Sequence, residues 1–338
     1  MQDFAARAQA PDPGAEAPIV KALAFADNSK RKTKDGTETM RSLWRLHIRP
    51  NGGHGNIAAS VGLCLERSII GMGWAAPNEA VTRSADLEWY KAAAARQYPD
   101  STAWHSVWTF AADPQLGDLV WFRDLEGHFF LAEITGPWQY AYEDDEAIGA
   151  DIVNFRPARI IPVGLADAVP GKIIACFRPP ITFMPIRSPG MLAFSEQLAG
   201  LPVSGDAGRD VFEFMSDADL ENLVFVYLQF LGWYVLPGTR TATTAHYEFV
   251  LVNRESGERA VVQVKSGHTW IDAARYAGAE KAFLFAACDH YGTNPPPNVV
   301  IITRPELEDF MLSQPHLLPR AVSHWMAIAG LAPVGGTP

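Results

Sequence analysis

The sequence predicts a mixed fold in two parts: a mainly-β half forming a small, partly closed barrel with helices packed outside it, then an α/β half. Three observations carry this. After Ser42 the texture is short β-like segments, LWRLHI, SIIGMGW, GDLVWF, HFFLAEITG, DIVNFRPARIIPV and KIIACF, separated by glycine-bearing turns. From Ser216 the chain alternates helical and strand periodicities. Between the two, residues 185–215 contain SPG and LPVSGDAG, the proline and glycine content of a linker between halves that move relative to each other.

The 338 residues suffice for two ordinary domains, and 48% hydrophobic content with 20% charge is the composition of a globular chain. Residues 1–40 read as a mobile tail. They open with Ala, Pro and Gly and carry SKRKTKDGTET, whose Lys30, Arg31, Lys32 and Lys34 are either a solubilising cluster or an arm for phosphates. No run of about 18 apolar residues occurs and the N-terminus lacks a signal-peptide core, so a soluble, cytoplasmic protein with no membrane partner is expected. Cys64, Cys176 and Cys288 are odd in number and far apart, which suits small core residues better than disulfides or zinc ligands. His47, His54 and His128 show no ligand spacing and read as ordinary polar positions.

In the first half, residues 41–184, helices are expected near Ser84 to Tyr98 and Ser101 to Phe110, with the remaining segments as strands. The second half, residues 216–330, opens with SDADLENLVFVYLQFLGW. Its Leu220, Leu223, Val224, Tyr227, Leu228 and Leu231 have amphipathic helical spacing; Ser216 with Asp219 resembles a capping box and Gly232 suits the stop. Glu221 lies beside the apolar stripe. WYVLP is a short strand, and PGTRTATTAH a loop. Tyr247 to Val252 and Arg259 to Lys265 then flank the polar NRESGE turn as an antiparallel hairpin. A helix around Ile271 to Gly278, buried strands KAFLFAA and VVIIT, and a last helix opened by Pro305 complete the order.

Folding the hairpin symmetrically sets Glu248 opposite Gln263. Gln263 and Lys265 then share one face, while Val262 and Val264 point into the opposite, apolar layer. A lysine on a half-buried strand needs a compensating carboxylate. Two readings follow: a cross-strand ion pair on a solvated face, or a hard-cation site with Glu248 and the Gln263 oxygen as ligands and Lys265 beside a scissile phosphate.

Helix, strand, hairpin, helix, strand, strand, helix, with these residues in place, resembles the PD-(D/E)XK catalytic domain of Mrr-type restriction endonucleases, in the variant with glutamine before x-Lys. The resemblance covers Ser216 to Leu312, with VQVKSG at Val262 to Gly267 as the motif. It implies an α/β/α nuclease core and Mg²⁺ as cofactor. Glu248, Gln263 and the Val264 carbonyl would hold the metal, Lys265 would activate water and bind phosphate, and Glu221 would tune the site through water. Two departures are Glu248 for the usual aspartate and Gln263 for an acid, which lengthen one ligand arm and remove one charge.

The first half resembles PUA-like barrels, including the EVE and YTH groups, through RLHIRPNGG, SIIGMGW, GDLVWF, AEITGPWQY and the basic RPARIIPV strand. That resemblance implies a reader that holds a flipped, modified base between aromatic rings, with Trp74, Trp138 and Tyr140 as the cage and Arg49 and Arg156 on flanking phosphates. Trp44, Trp89, Trp104 and Trp108 read as ordinary packing. Together the two resemblances imply a modification-dependent endonuclease of restriction or phage defence, acting on double-stranded DNA as a homodimer at least during cleavage. A non-catalytic reader of modified DNA or of RNA, carrying a degenerate nuclease half, is the alternative. Charge runs against nucleic-acid binding: the chain carries a net −10, with nine Lys and Arg against sixteen Asp and Glu from Met191 onward.

Overall fold

The computed structural model describes residues 30–32, 38–76, 86–102, 104–141, 144–203, 210–239, 246–292 and 294–331. Lys34 and most of the expected tail, Ser84, part of the expected linker (204–209) and most of the loop before the hairpin (240–245) lie outside the described residues. In chain order β1 (Lys30–Lys32) and β2 (Glu38–Met40) form an antiparallel pair within residues 1–40, and the strands of the first half are β3 (Leu43–Leu46), β4 (Ile69–Met72), β5 (Leu119–Arg123), β6 (Phe129–Ile134), β7 (Gln139–Tyr140), β8 (Asn154–Gly164) and β9 (Phe183–Pro185). Those of the second are β10 (Trp233–Val235), β11 (Phe249–Asn253), β12 (Arg259–Lys265), β13 (Ala282–Ala286) and β14 (Val299–Ile301). Helices α1 (Ile57–Arg67), α2 (Leu87–Gln97), α3 (His105–Ala112), α4 (Asp145–Gly149) and α5 (Gly171–Ala175) belong to the first half. Then come α6 (Pro189–Leu198), α7 (Val211–Phe214), α8 (Asp217–Phe230), α9 (Arg304–Ser313) and α10 (Arg320–Ile328).

The first sheet runs β4-β8-β6-β5-β3-β9, with β7 also on β8. Its two ends are not paired with each other, so it curls into a half-barrel. Side chains alternate faces along a strand, and here both faces are apolar. Leu119, Trp121, Phe129 and Leu131 enter one core; Val120, Phe122, Phe130 and Ala132 enter another with α1, α2 and α3. Double burial explains why GDLVWF and HFFLAEITG read as continuous apolar runs rather than alternating ones.

Four expectations are corrected. KIIACF is not a strand: Pro170 and Gly171 start the short helix α5, and the Asp219 carboxylate accepts from the Gly171 N–H at 2.8 Å. Ile57–Arg67, where the sequence predicts no helix, is one, capped by the Asn56 side chain, which accepts from the Ala59 N–H. The region 271–278 makes only a 3₁₀ turn, Ala273–Tyr276. Asn298 Nδ2 donates to the Tyr276 and Ala279 carbonyls, tying the end of that turn to the stretch before β14. Within the segment expected to be a linker, residues 189–198 form α6, with Met191, Phe194, Ser195 and Glu196 buried.

That helix is held by polar groups as well as packing. Trp121 Nε1 donates to Ser195 Oγ at 2.9 Å, and Arg41 pairs with Glu196 at 3.0 Å, both side chains at most 2% exposed. One apolar cluster then runs from Leu43 and Trp121 through Phe194 to Phe212, Leu223, Phe285 and Trp325. The second sheet, β10-β11-β12-β13-β14, is antiparallel across its first three strands and parallel across the rest. α8 has the Ser216–Asp219 capping box, and Gly232 follows its end at φ +87°, as the sequence predicts.

Candidate functional site

β11 and β12 pair with Phe249 opposite Val262 and Val252 opposite Arg259, the symmetric register expected of the hairpin. Phe249, Leu251, Val262 and Val264 face the cluster beneath α8. The other face carries Leu284, Ala286, Ile271 and Tyr276. There the structure brings Glu248, Gln263 and Lys265 together. Gln263 Nε2 donates to Glu248 Oε1 at 2.6 Å, and Lys265 Nζ donates to the same oxygen at 3.1 Å. Gln263 is 2% exposed, while the Glu248 and Lys265 side chains are 23% and 36% exposed, so the trio opens to solvent on one side.

The orientation of the amide differs from the expectation. Its nitrogen, not its oxygen, faces Glu248, and the same nitrogen lies 3.4 Å from the Val264 carbonyl oxygen. An N–H₂ group thus sits between the two oxygens expected to ligate a cation. The Gln263 oxygen faces the Tyr276 hydroxyl at 3.3 Å, but that hydroxyl donates to the His246 carbonyl at 2.7 Å and has one proton to give. Half a turn of the amide would let Nε2 donate to the Tyr276 oxygen and present Oε1 beside Glu248 and the Val264 carbonyl. The resulting set of carboxylate, amide and backbone oxygens suits Mg²⁺. Burial pushes the Tyr276 phenol up to about 12, so it stays protonated at neutral pH.

Glu221 is half-buried on α8, which packs on the face opposite the trio. One turn before Glu221 on the same helix, Asp217 accepts from Ser266 Oγ just past the end of β12. His246 and Arg275, whose side chains lie 3.3 Å apart, add polar groups beside Tyr276.

In the first half, Trp74 and Arg49 line one cavity of about 530 Å³ together with Asn51, Tyr98, Asp151 and Thr182. Trp74 and Tyr98 meet edge to face, ring centroids 5.1 Å apart. Asn51, Trp74 and Asp151 all have left-handed backbone, φ +48°, +67° and +53°. Such conformations are unusual for non-glycine residues, and for a tryptophan most of all. The chain around Trp74 is pinned: the Tyr90 hydroxyl donates to the Trp74 carbonyl, Tyr98 to that of Ala75, and Asn154 to that of Gly73.

The other expected reader residues fall elsewhere. Trp138 and Tyr140 pack on Tyr90 rather than lining the cavity with Trp74, and Tyr140 accepts from the Ala76 N–H. Of the three expected rings the lining of this cavity holds Trp74, with Tyr98 beside it. Arg156 is 6% exposed and donates to the Ala111 carbonyl at 2.8 Å, an interior role that turns it away from any phosphate. Arg49 is exposed at the cavity rim. Asp124, Glu126 and His128 converge at the β5–β6 turn, where Asp124 accepts from the His128 backbone and ring; these bonds account for the turn. No family, curated protein or solved structure matches this chain.

Proposed function

We propose that this protein is a Mg²⁺-dependent endonuclease that selects DNA carrying a modified base. The convergence of the Gln263 amide and the Lys265 ammonium on one Glu248 oxygen, on a side open to solvent, carries the reading, because with the amide turned it would supply a cation ligand set beside a phosphate-binding ammonium. When bound, Mg²⁺ would polarise the phosphoryl oxygens and make water a stronger nucleophile. Lys265 binds the phosphate and steadies the charge that grows on it. Tyr276 and the His246 carbonyl hold the Gln263 amide. In the first half, the aromatic corner of Trp74 and Tyr98 stacks a base withdrawn from the duplex, and Arg49 meets its flanking phosphate.

A second reading is favoured by one observation: the amide nitrogen on Glu248 occupies the place a cation would need. In that reading the second half binds without cutting. Incubating the protein and its Lys265→Ala variant with plain and base-modified duplexes, in Mg²⁺ or EDTA, separates the two. Metal-dependent cutting of modified DNA that the variant lacks supports the nuclease; tight binding with no cutting by either protein supports the reader.

A further inference from the structure

We propose that Asp151 is the base-reading residue of the Trp74 cavity, and that the cavity takes a base presenting an exocyclic amino group in preference to thymine or uracil. The inference rests on the reading of this cavity as a base site. Asp151 Oδ2 is committed, accepting from the Asn51 N–H at 2.7 Å. Oδ1 has no hydrogen bond among the described residues and lies over Gly73, where an added Cβ would stand 2.1 Å from it. Only glycine at that position leaves room for the carboxylate, and three left-handed residues hold the site in shape.

An ionised carboxylate oxygen accepts hydrogen bonds and cannot donate them. A ligand edge that meets Oδ1 must therefore offer a donor. The amino groups of cytosine, adenine and guanine do so directly. The N3–H of uracil or thymine lies between two carbonyl oxygens, which the carboxylate repels. Trp74 and Tyr98 contribute stacking that is indifferent to base identity, so Asp151 is the part of the cavity that discriminates.

The test uses the full-length protein in EDTA, titrated with short single-stranded oligonucleotides that differ at one central base. Cytosine is compared with uracil and adenine with hypoxanthine, pairs that exchange an amino group for a carbonyl. The wild type should prefer the amino member about tenfold or more, the scale of one hydrogen bond to a charged group. Asp151→Asn should erase or invert that preference. Asparagine keeps an oxygen for the Asn51 N–H and tolerates left-handed backbone, and circular dichroism checks that the variant folds. Trp74→Ala should weaken binding of all four. An equal preference in wild type and Asp151→Asn, with binding still lost in Trp74→Ala, overturns the role of Asp151 and leaves the cavity as a base site. Unchanged binding in both variants overturns the base site as well.

Discussion

At the scale of single residues, the trio was legible because a symmetric hairpin fixes which side chains face each other. Lysine and glutamine alternating with valines then mark the polar face. The same signal could not tell which end of the amide meets Glu248; that depends on Tyr276 and His246, which are remote in sequence from Gln263. The cavity was half legible. Trp74 and Arg49 stand in the motifs that carry the barrel resemblance, whereas Asp151, which opens the DIVNFRPARIIPV segment, and Tyr98, the C-cap of α2, acquire meaning only from their left-handed or capping geometry. Lys265→Ala should lower cleavage by about 100- to 1,000-fold, as removal of a charge-stabilising donor does, with DNA binding in EDTA nearly unchanged. Retained cleavage would remove the proposed centre. Tyr276→Phe should raise the Mg²⁺ concentration needed for half-maximal activity by about 10- to 100-fold, the usual cost of losing a partner behind a metal ligand. Direct calorimetric titration with Mg²⁺ should show the same weakening, and an unaltered binding curve would refute the part given to the phenol.

Among elements, the hairpin, α8 and the buried strands β13 and β14 follow from periodicity and caps, which are local properties. The failures were non-local. α5 starts against Asp219 from another helix, and the turn at Ala273–Tyr276 is tied at its end to Asn298. A short apolar run does not reveal such partners. α6 is the instructive case, since Pro189 and Gly190 look like a break yet begin a buried helix. Its Glu196 is fully buried against Arg41, so Glu196→Ala should cost about 3–5 kcal/mol by stranding the guanidinium, while replacing both partners by apolar residues should recover much of that loss. Urea denaturation of the single and double variants measures both. A loss below 1 kcal/mol for Glu196→Ala would show that the ion pair does not anchor α6.

Across the whole molecule, the cluster that runs from Trp121 through Phe194 to Trp325 makes the two halves share one apolar interior. Tryptophan fluorescence and far-ultraviolet circular dichroism should therefore report a single coincident urea transition; two separated transitions would contradict the shared interior. pH acts through His47. Burial, then Arg45, Arg123 and Arg49, push it down to about 4, against an ordinary value near 6.5. The unfolded chain thus binds the proton more readily, so stability is complete above pH 6.5 and declines as pH falls from 6.5 towards 4. His47→Gln should flatten that decline, and His324, lowered chiefly by burial, should account for part of what remains.

Glu248 Oε1 is already hydrogen-bonded by Gln263 and Lys265, so its charge is largely balanced within the protein. Many metalloproteins collapse when stripped, because their ligand cluster repels itself. On the proposed metal-site reading, the metal-free form is the relaxed one. Chelation should silence the protein without loosening it, leaving its melting temperature in EDTA within a degree or two of the untreated value, and adding Mg²⁺ back should revive it without a refolding lag.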